Sequence, residues 1–458
     1  MKNATLGDVV ETMKNGLYKP ASEYGDDGIP CLRMYNIDAG RIIWRDIKRM
    51  RVTKNELAEY GLCEGDLLVN RVNSRELVGK TAVIPSGMEP SVFESKNIRV
   101  RLNKDRVRPK FINYQLLSGG RRHFADNAQQ VVGMASISQK QLMNFPIVLK
   151  DIEQQERIVA EIEKQFSRLD EAVANLKRVK ANLKHYKAAV LKAAVEGRLV
   201  PTEAELARKE GRTYETGEQL LARILQERRA AWEKQNTGSR KKKYVKPQQS
   251  DTTILPDLPE GWLWASFGQI AERVTVGHVG PMKNEYIDKG VPFLRSQNVR
   301  ANRFDSEGLK FISLEFHRKL AKSTLKPGDI VVVRSGSVGV SCVIPKNPTE
   351  ANCSDLVIVK SPRAVLPSFG AYYMNSVVET RVASGKVGVA LTHFNTQSVA
   401  EMPIPVPPLA EQNRIVTEAD RHFSIVDELE TQLNINLQRS ERLRQTILQR
   451  AFRPDPST

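Results

Sequence analysis

This chain contains the same sequence unit twice, and the duplication constrains its fold more than any other feature. The stretch "FPIVLKDIEQQERIV" at Phe145–Val159 aligns without a gap with "MPIPVPPLAEQNRIV" at Met402–Val416, about 257 residues later. Further upstream, "GIPCLRMYNI" at Gly28–Ile37 aligns with "GVPFLRSQNV" at Gly290–Val299. A repeat this long corresponds to a whole structural unit, so both halves should have the same order of elements. Each half is predicted to be a β-rich globule followed by a long helix.

The globular part of each half has the pattern of short strands. Runs such as "DLLVN", "TAVIP", "DIVVV" and "LVIVK" are rich in β-branched residues and are bounded by turn-forming residues. Short helical stretches such as "RPKFINYQLLSG" and "LPSFGAYYMNSVVET" lie between them. The predicted fold class is α+β, with two pseudo-symmetric mixed α/β domains separated by two long antiparallel coiled-coil helices.

Each half ends in a long segment whose apolar residues recur at steps of three, four or seven, as in a coiled-coil seam. The first seam consists of Ile158, Ile162, Phe166, Leu169, Val173, Leu176, Leu183, Val190 and Ala194. The second consists of Ile415, Ala419, Phe423, Val426, Leu433, Leu437, Ile447 and Ala451. Pro201 and Pro454 are expected to end the two helices. A helix of about 45 residues is about 65 Å long. A single globule has no need of that length, so the two helices are predicted to pack together.

These patterns divide the chain into five parts. The predicted boundaries are 1–150 for the first domain, 151–200 for the first helix, 201–256 for a helical and basic linker, 257–408 for the second domain and 409–453 for the second helix. Within the linker, residues 216–235 indicate an exposed, charged helix, and residues 236–256 are polar and basic. The run "RKKKYVK" at Arg240–Lys246 either contacts phosphate or is only a solvated linker, and the sequence leaves both open.

The charge of the chain indicates a polyanionic partner. Its formal net charge is +17 and its pI is near 9.6. Nucleic acid is the simplest such partner, because each phosphate that is neutralised releases counterions. No window approaches the roughly eighteen apolar residues of a membrane span, and the N-terminus lacks the apolar core of a signal peptide. We therefore expect a cytoplasmic protein without a membrane partner.

Metal and disulfide chemistry have little support in the sequence. The four cysteines, Cys31, Cys63, Cys342 and Cys353, form no C-x-x-C pair, and the six histidines have no metal-ligand spacing. We expect four buried free thiols, no metal site and no cofactor on this chain.

One segment comes close to a phosphate-binding loop. Ser74–Thr81 reads S-x-x-x-x-G-K-T, which lacks only the first glycine of the P-loop pattern. A true P-loop joins a strand to a helix, whereas this segment runs into the predicted strand "AVIP". The aligned stretch of the second repeat, "RSGSVGVSCVIP", has no Lys-Ser/Thr pair. An ATPase using Lys80 and a coiled-coil scaffold with incidental charge are the alternatives to a non-catalytic DNA-binding protein, and we find no catalytic residues.

Three polar loops in each globule are the candidate DNA-reading surfaces. Arg71 and Arg334 each follow a predicted strand and precede a flexible loop, and arginine suits bidentate contact with guanine or phosphate. Glutamine and asparagine in the loop before each long helix suit adenine. Positions that the repeats share are expected to be scaffold or phosphate contacts, and positions that differ are the better candidates for base reading. The predicted DNA-binding residues are Arg33, Asn36, Arg71, Asn73, Arg75, Lys80, Gln129, Gln130, Arg295, Asn298, Arg334, Ser335, Lys386, His393 and Asn395.

The chain resembles the specificity subunits of Type I restriction–modification systems. The resemblance rests on "PIPVPPLAEQNRIV" before a helix ending "ILQRAF", on "DIEQQERIV" before one ending "VLKAAVEGRL", and on "LPEGWLWASFGQI" and "GEQLLARILQERRAAWE". It implies that the globules are target recognition domains, each reading one half of a bipartite site in double-stranded DNA. It also implies that the helices set the gap between the half-sites and dock two methyltransferase subunits. S-adenosylmethionine is then expected on those subunits, and ATP with Mg²⁺ on separate restriction or motor subunits, in the cytoplasm of a bacterium or archaeon.

Overall fold

The computed structural model describes residues 4–131, 134–236, 243–253, 255–383 and 395–453. It divides into two compact units, one of Met1–Arg178 with Leu433–Thr458 and the other of Val179–Gln432. The boundary between them falls within each of two long helices. Each unit therefore contains one globule and part of both helices.

The described residues of the first globule form fourteen short strands. They are β1 Ala4–Thr5, β2 Val10–Asn15, β3 Tyr24–Leu32, β4 Ile37–Asp38, β5 Arg41–Ile42, β6 Lys48–Met50, β7 Leu67–Asn70, β8 Val72–Asn73, β9 Thr81–Val83, β10 Val92–Phe93, β11 Asn97–Leu102, β12 Gln129–Val131, β13 Met134–Ser136 and β14 Pro146–Ile147.

The second globule has twelve strands within the described part of the chain. They are β15 Leu263–Ser266, β16 Arg273–Val276, β17 Tyr286–Ile287, β18 Val291–Leu294, β19 Val299–Arg300, β20 Arg303–Phe304, β21 Lys310–Ile312, β22 Ile330–Val333, β23 Ser341–Val343, β24 Asn352–Cys353, β25 Leu356–Lys360 and β26 Pro403–Val406.

The α-helices of the described residues are four short ones in the first globule, a long helix, two linker helices, four in the second globule and a second long helix. They are α1 Lys54–Tyr60, α2 Pro109–Gln115, α3 Arg121–Asn127, α4 Gln139–Met143, α5 Ile152–Val195, α6 Glu203–Glu210, α7 Gly217–Gln235, α8 Phe267–Ile270, α9 Leu314–Lys319, α10 Pro367–Ala383, α11 Thr396–Glu401 and α12 Leu409–Ala451.

The two globules are built on the same four-stranded sheet, as the sequence repeat predicts. In the first, the strand order is β2-β11-β7-β9, and in the second it is β16-β25-β22-β23. The central strands β7 and β22 are buried at every position. A strand with both faces covered has a continuous apolar sequence, which is why "DLLVN" and "DIVVV" lack alternation. The mixed α+β fold class is confirmed for both repeats.

The two long helices run antiparallel in each unit. In the first unit Asp170 of α5 forms an ion pair with Arg444 of α12, and in the second Lys187 Nζ lies 2.7 Å from Asp427 Oδ1. The two pairs occupy equivalent repeat positions, because Asp170 aligns with Asp427 and Lys187 with Arg444. Between α5 and α12 the predicted seam residues are the buried ones near the globules, for example Ile162 and Ala419. The predicted helix pairing is therefore confirmed within each unit.

A buried glutamine fastens each globule to its long helix. Gln155 Nε2 donates to the carbonyls of Arg106 and Lys150 at 2.9 and 2.8 Å, and its Oε1 accepts from the Arg108 N–H at 2.8 Å. Gln412, at the same repeat position, makes the matching three bonds to its own globule at 2.7 to 2.9 Å. Both side chains are fully buried. In each glutamine both N–H groups of Nε2 and the Oε1 oxygen have a backbone partner. The same contact therefore fixes the angle between globule and helix in both repeats.

The linker helices pack against the second globule, and this corrects one expectation. Leu220, Leu221 and Ile224 of α7 are buried, so the prediction of a helix exposed all round was wrong for that face. The N–H of Glu203, which begins α6, donates to Glu411 Oε2 at 2.7 Å, and Trp262 Nε1 donates to Glu411 Oε1 at 2.9 Å. These bonds join the linker, the start of the second globule and the start of α12.

The cysteines differ from expectation in one case. Burial raises the pKa of the thiols of Cys31, Cys342 and Cys353 to about 12. Cys63 is exposed, because the turn before β7 places it at the surface, so the expectation of four buried thiols was wrong for this residue. Within the described residues, no helix is long and apolar enough to cross a membrane.

Replacing the buried glutamines tests the globule-to-helix junction. We expect Gln155→Ala and Gln412→Ala each to lower the free energy of unfolding by about 1–3 kcal/mol, because each removes a buried side chain that hydrogen-bonds three backbone groups. Denaturant-induced unfolding measures the change. The matched control is Gln154→Ala, since the Gln154 side chain is exposed. Equal stability of the Gln154 and Gln155 variants would contradict the assignment.

Candidate nucleic-acid interface

Two of the predicted reading loops lie side by side in the first globule. Strand β8 pairs with β13, and β13 pairs with β12, in a three-stranded sheet. The N–H of Ile137 donates to the carbonyl of Arg71 at 2.9 Å. The sheet therefore brings the loop after Arg71 next to β13, and β13 separates that loop from β12, the strand that carries Gln129 and Gln130. Gln129 is exposed, and the side chain of Gln130 lies outside the described residues.

The near-match to a P-loop lies in the first of these loops. Gly79 has φ +84°, a conformation that favours glycine, and a Cβ there would lie 2.3 Å from the ring of Phe124. Lys80 is followed by strand β9, and its Nζ lies 3.4 Å from Asp38 Oδ1. No helix N-terminus follows the glycine, so the geometry that cradles phosphates in a P-loop is missing here.

The arginines that follow the central strands have different electrostatic surroundings. Arg71 follows β7 and Arg334 follows β22, and the Nε of each is buried without a hydrogen-bond partner among the described residues. Arg334 Nη1 lies 3.5 Å from Asp355 Oδ1, and Ser335 Oγ donates to Asp355 Oδ2 at 2.8 Å. At the equivalent position of the first repeat stands Lys96, because Lys96 and Asp355 each precede the strand that pairs with the central one.

This difference changes the local charge from one repeat to the other. The Arg71 N–H donates to the Lys96 carbonyl at 2.8 Å, so the backbones of two basic residues are neighbours in the first globule. In the second globule a carboxylate partly neutralises the arginine. The sequence prediction missed Lys96 and Asp355. Each lies directly before the neighbouring strand, β11 or β25, and only strand pairing brings it beside the arginine.

Arg33 and Arg295 both donate hydrogen bonds to other groups of the protein. Arg33 Nε donates to Glu94 Oε2 at 3.0 Å and its Nη1 to the Tyr35 hydroxyl at 3.0 Å. Burial alone would lower the pKa of Arg33, but the bond to Glu94 and its charge outweigh burial, and the pKa is raised. Arg295 Nη2 donates to the Gly308 carbonyl at 2.9 Å. Both guanidinium groups remain partly accessible, which fits phosphate contact better than free base reading.

Several predicted asparagines stabilise loops. Asn36 is fully buried, and its Nδ2 donates to the carbonyls of Ile43 and Arg45 at 3.1 and 3.0 Å. Asn298 makes the equivalent bonds in the second repeat, at 3.0 and 3.1 Å. Their amides hold the loop in the same way in both halves, as expected for shared positions.

The remaining predicted residues divide into capping, surface and undescribed positions. Asn73 Nδ2 donates to Asn70 Oδ1 at 2.8 Å, and Asn395 Oδ1 accepts from the Ser398 N–H as the N-cap of α11. Arg75 is exposed and donates to the Ala125 carbonyl at 3.2 Å. Lys386 and His393 lie outside the described residues. Contact with DNA at all fifteen positions stays a prediction.

Arg75 also lines a cleft that the sequence did not predict. The cleft has a volume of about 960 Å³ and lies between the loop, α3 and the end of α12 in the first unit. Arg121, Arg122 and Arg442 line it together with Glu76, Asp126 and Glu441. The alternation of both signs is typical of a solvated surface, and only the exposed arginine heads suit phosphate.

The comparisons with known proteins agree with this geometry. Residues 259–439 match the family of the Type I restriction modification DNA specificity domain. The chain is 22% identical to the Type I restriction enzyme EcoBI specificity subunit of Escherichia coli, over 97% of this chain and 84% of that protein. It is 23% identical to the putative Type I restriction enzyme MjaX specificity subunit of Methanocaldococcus jannaschii, over 93% and 86% of the two chains.

Two solved structures share the fold. One, from work on complex assembly and conformational transition of the type I R-M system, has a TM-score of 0.68 at 16% identity and covers 99% of this chain and 97% of its own. The HsdS subunit from Thermoanaerobacter tengcongensis has a TM-score of 0.50 at 17% identity and covers 99% and 96%. The resemblance of the chain to Type I specificity subunits is confirmed by the family match of residues 259–439 and by these relatives.

Replacing Asn298 separates a loop-stabilising role from base reading. We expect Asn298→Ala to lower the free energy of unfolding by about 1–3 kcal/mol, because it removes a buried amide that donates to two loop carbonyls. Thermal and denaturant unfolding measure it. Ser296→Ala, an exposed change in the same turn, is the control and should be silent. A stable Asn298 variant with altered DNA preference would contradict the assignment.

Proposed function

We propose that this chain is the sequence-specific DNA-binding subunit of a Type I restriction–modification complex, with each globule reading one half of a bipartite site. The observation that carries the proposal is the pair of half-buried arginines, Arg71 and Arg334, which follow the same central strand in two globules whose surrounding charges differ. Equivalent positions provide the same docking geometry, and the differing neighbours, Lys96 and Asp355, provide different surfaces. Two globules with the same fold and different surfaces suit two different half-sites.

Affinity and specificity would come from different groups. The formal net charge of +17 supplies an attraction to DNA phosphate that does not depend on sequence. Sequence would be read by base contacts of Arg71 and Arg334 and of the exposed loop residues, because phosphate contacts position a protein but carry no base information. On this proposal the chain has no catalytic role, and partner methyltransferase subunits carry S-adenosylmethionine. The motor subunits would use ATP and Mg²⁺. The chain's relatives are named as specificity subunits, which supports this division of work.

The long helices offer a surface for docking those methyltransferase subunits. In the first unit, α5 and α12 enclose a groove of about 640 Å³ lined by Ile158, Ile162, Leu443 and Ile447, among others. Leu443 is 50% exposed. An open apolar groove between two helices suits an apolar segment of a partner protein.

Conservative changes at the two arginines test the two-head proposal. Arg71→Lys keeps the positive charge but removes the planar group needed for bidentate contact. We expect relaxed base preference in one half of the methylated motif, at a cost of about 1–3 kcal/mol per lost contact. Arg334→Lys should relax the other half. Methylation sequencing of cells that express each variant with its methyltransferase subunit measures both halves and the gap together.

The two variants control for one another. A change confined to one half for each variant fits separate reading heads. A change in both halves from either substitution would contradict the proposal, and so would a wild-type motif without an unread gap.

A charge placed in the helix groove tests partner docking. We expect Leu443→Asp to weaken assembly with the methyltransferase subunit at least tenfold, because an aspartate would be desolvated against an apolar surface. Size-exclusion chromatography of the co-expressed subunits measures assembly. Gln438→Asp is the control, since Gln438 is exposed on α12 and does not line the groove. Equal assembly by both variants would exclude the groove as the docking surface.

A further inference from the structure

The linker contains a basic segment that is attached to the second globule. We name residues 243–250, "KYVKPQQS", the basic arm. The ring of Tyr244 packs edge-on against Trp232 of α7, with centroids 5.3 Å apart. Further along, Ser266 Oγ donates to the Gln248 carbonyl at 2.7 Å, and Ser250 Oγ donates to the Glu401 carbonyl at 2.7 Å. Three separate contacts hold the arm, so it is more than a solvated tether.

These contacts place the arm beside elements that border a predicted reading loop. Glu401 is the last residue of α11, and Asn395 caps the start of that helix. In the sequence Asn395 belongs to the polar loop predicted before the second long helix. Ser266 caps α8, which packs against α11. The arm therefore adds charge beside the second recognition domain.

The charges of the arm are unpaired, in contrast to those of the helix before it. On α7, Arg223 Nε lies 2.8 Å from Glu215 Oε1, and Arg229 Nε lies 2.9 Å from Glu233 Oε1. Lys243 and Lys246 are exposed, and neither has an acidic partner within the described part of the chain. The arm contains no Asp or Glu. Two arginines of the linker helix are thus neutralised by carboxylates, whereas the arm presents its cations to solvent.

We propose that the basic arm contacts the DNA phosphate backbone beside the second half-site and adds affinity that does not depend on sequence. This inference rests on the proposed function, because the second recognition domain must face DNA for the arm to reach it. Lysine is a compact charge on a flexible stem, which suits phosphate contact better than base reading. Each phosphate contact releases counterions and steepens the salt dependence of binding by about 0.9 per contact.

The test compares the salt dependence of DNA binding for two double variants of the full chain. The probe is a duplex without the recognition motif, and fluorescence anisotropy gives the affinity over a series of salt concentrations. For Lys243→Ala/Lys246→Ala we expect the slope of log affinity against log salt to be shallower by about 2, since two contacts are lost. The control, Lys192→Ala/Lys209→Ala, removes the same charge from exposed positions on α5 and α6.

The possible results distinguish a failure of the arm proposal from a failure of the proposed function. An unchanged slope in the arm variant, or an equal flattening in the control, would overturn the arm proposal. An unchanged slope with loss of methyltransferase assembly would also overturn it and show that the arm binds protein. Methylation sequencing of the arm variant should return the wild-type motif at reduced extent. Absence of any bipartite motif in the wild type would instead refute the proposed function, while the salt measurement on the arm would still stand.

Discussion

The junction between each globule and its long helix is the contact on which the rest of the structure depends. A fully buried glutamine at the start of the helix bonds three backbone groups of the globule and its entry. A tyrosine strengthens it from the globule side: Tyr114 reaches Glu163 at 3.5 Å, and Tyr372 bonds Asp420 at the equivalent position. Because these groups are directional, they fix an angle as well as an attachment. Apolar packing alone would leave that angle less defined.

The duplication kept these junctions and altered the loops. The interhelix ion pairs, the glutamines and the loop asparagines Asn36 and Asn298 make equivalent contacts in both repeats. The residue beside the arginine that follows the central strand differs in sign, since it is Lys96 in the first repeat and Asp355 in the second. This pattern is expected of two repeats that share a fold but differ in surface. Buried contacts of the fold tolerate few substitutions, whereas exposed positions tolerate more.

The sequence predicted the architecture well because its determinants are periodic or repeated. The apolar seams predicted the two long helices, and the continuous runs "DLLVN" and "DIVVV" predicted the buried central strands. Side-chain roles were harder to predict. The buried state of Asn36 depends on bonds to carbonyls seven and nine residues away, and Lys96 meets Arg71 only through strand pairing. One buried face of α7 was missed because its apolar residues are few among many charges.

The segment that resembles a P-loop shows why position within a fold decides what a motif can do. Gly79 is required by a positive φ and by the closeness of Phe124, which are needs of a tight turn between strands. Lys80 approaches Asp38 and is followed by a strand, so the glycine, lysine and threonine lie in sequence order without the helix dipole and N–H groups that bind phosphate. The same loop directly follows Arg71 and belongs to one sheet with β12, the strand that carries Gln129. A basic turn in such a sheet is compatible with nucleic-acid binding and needs no nucleotide chemistry.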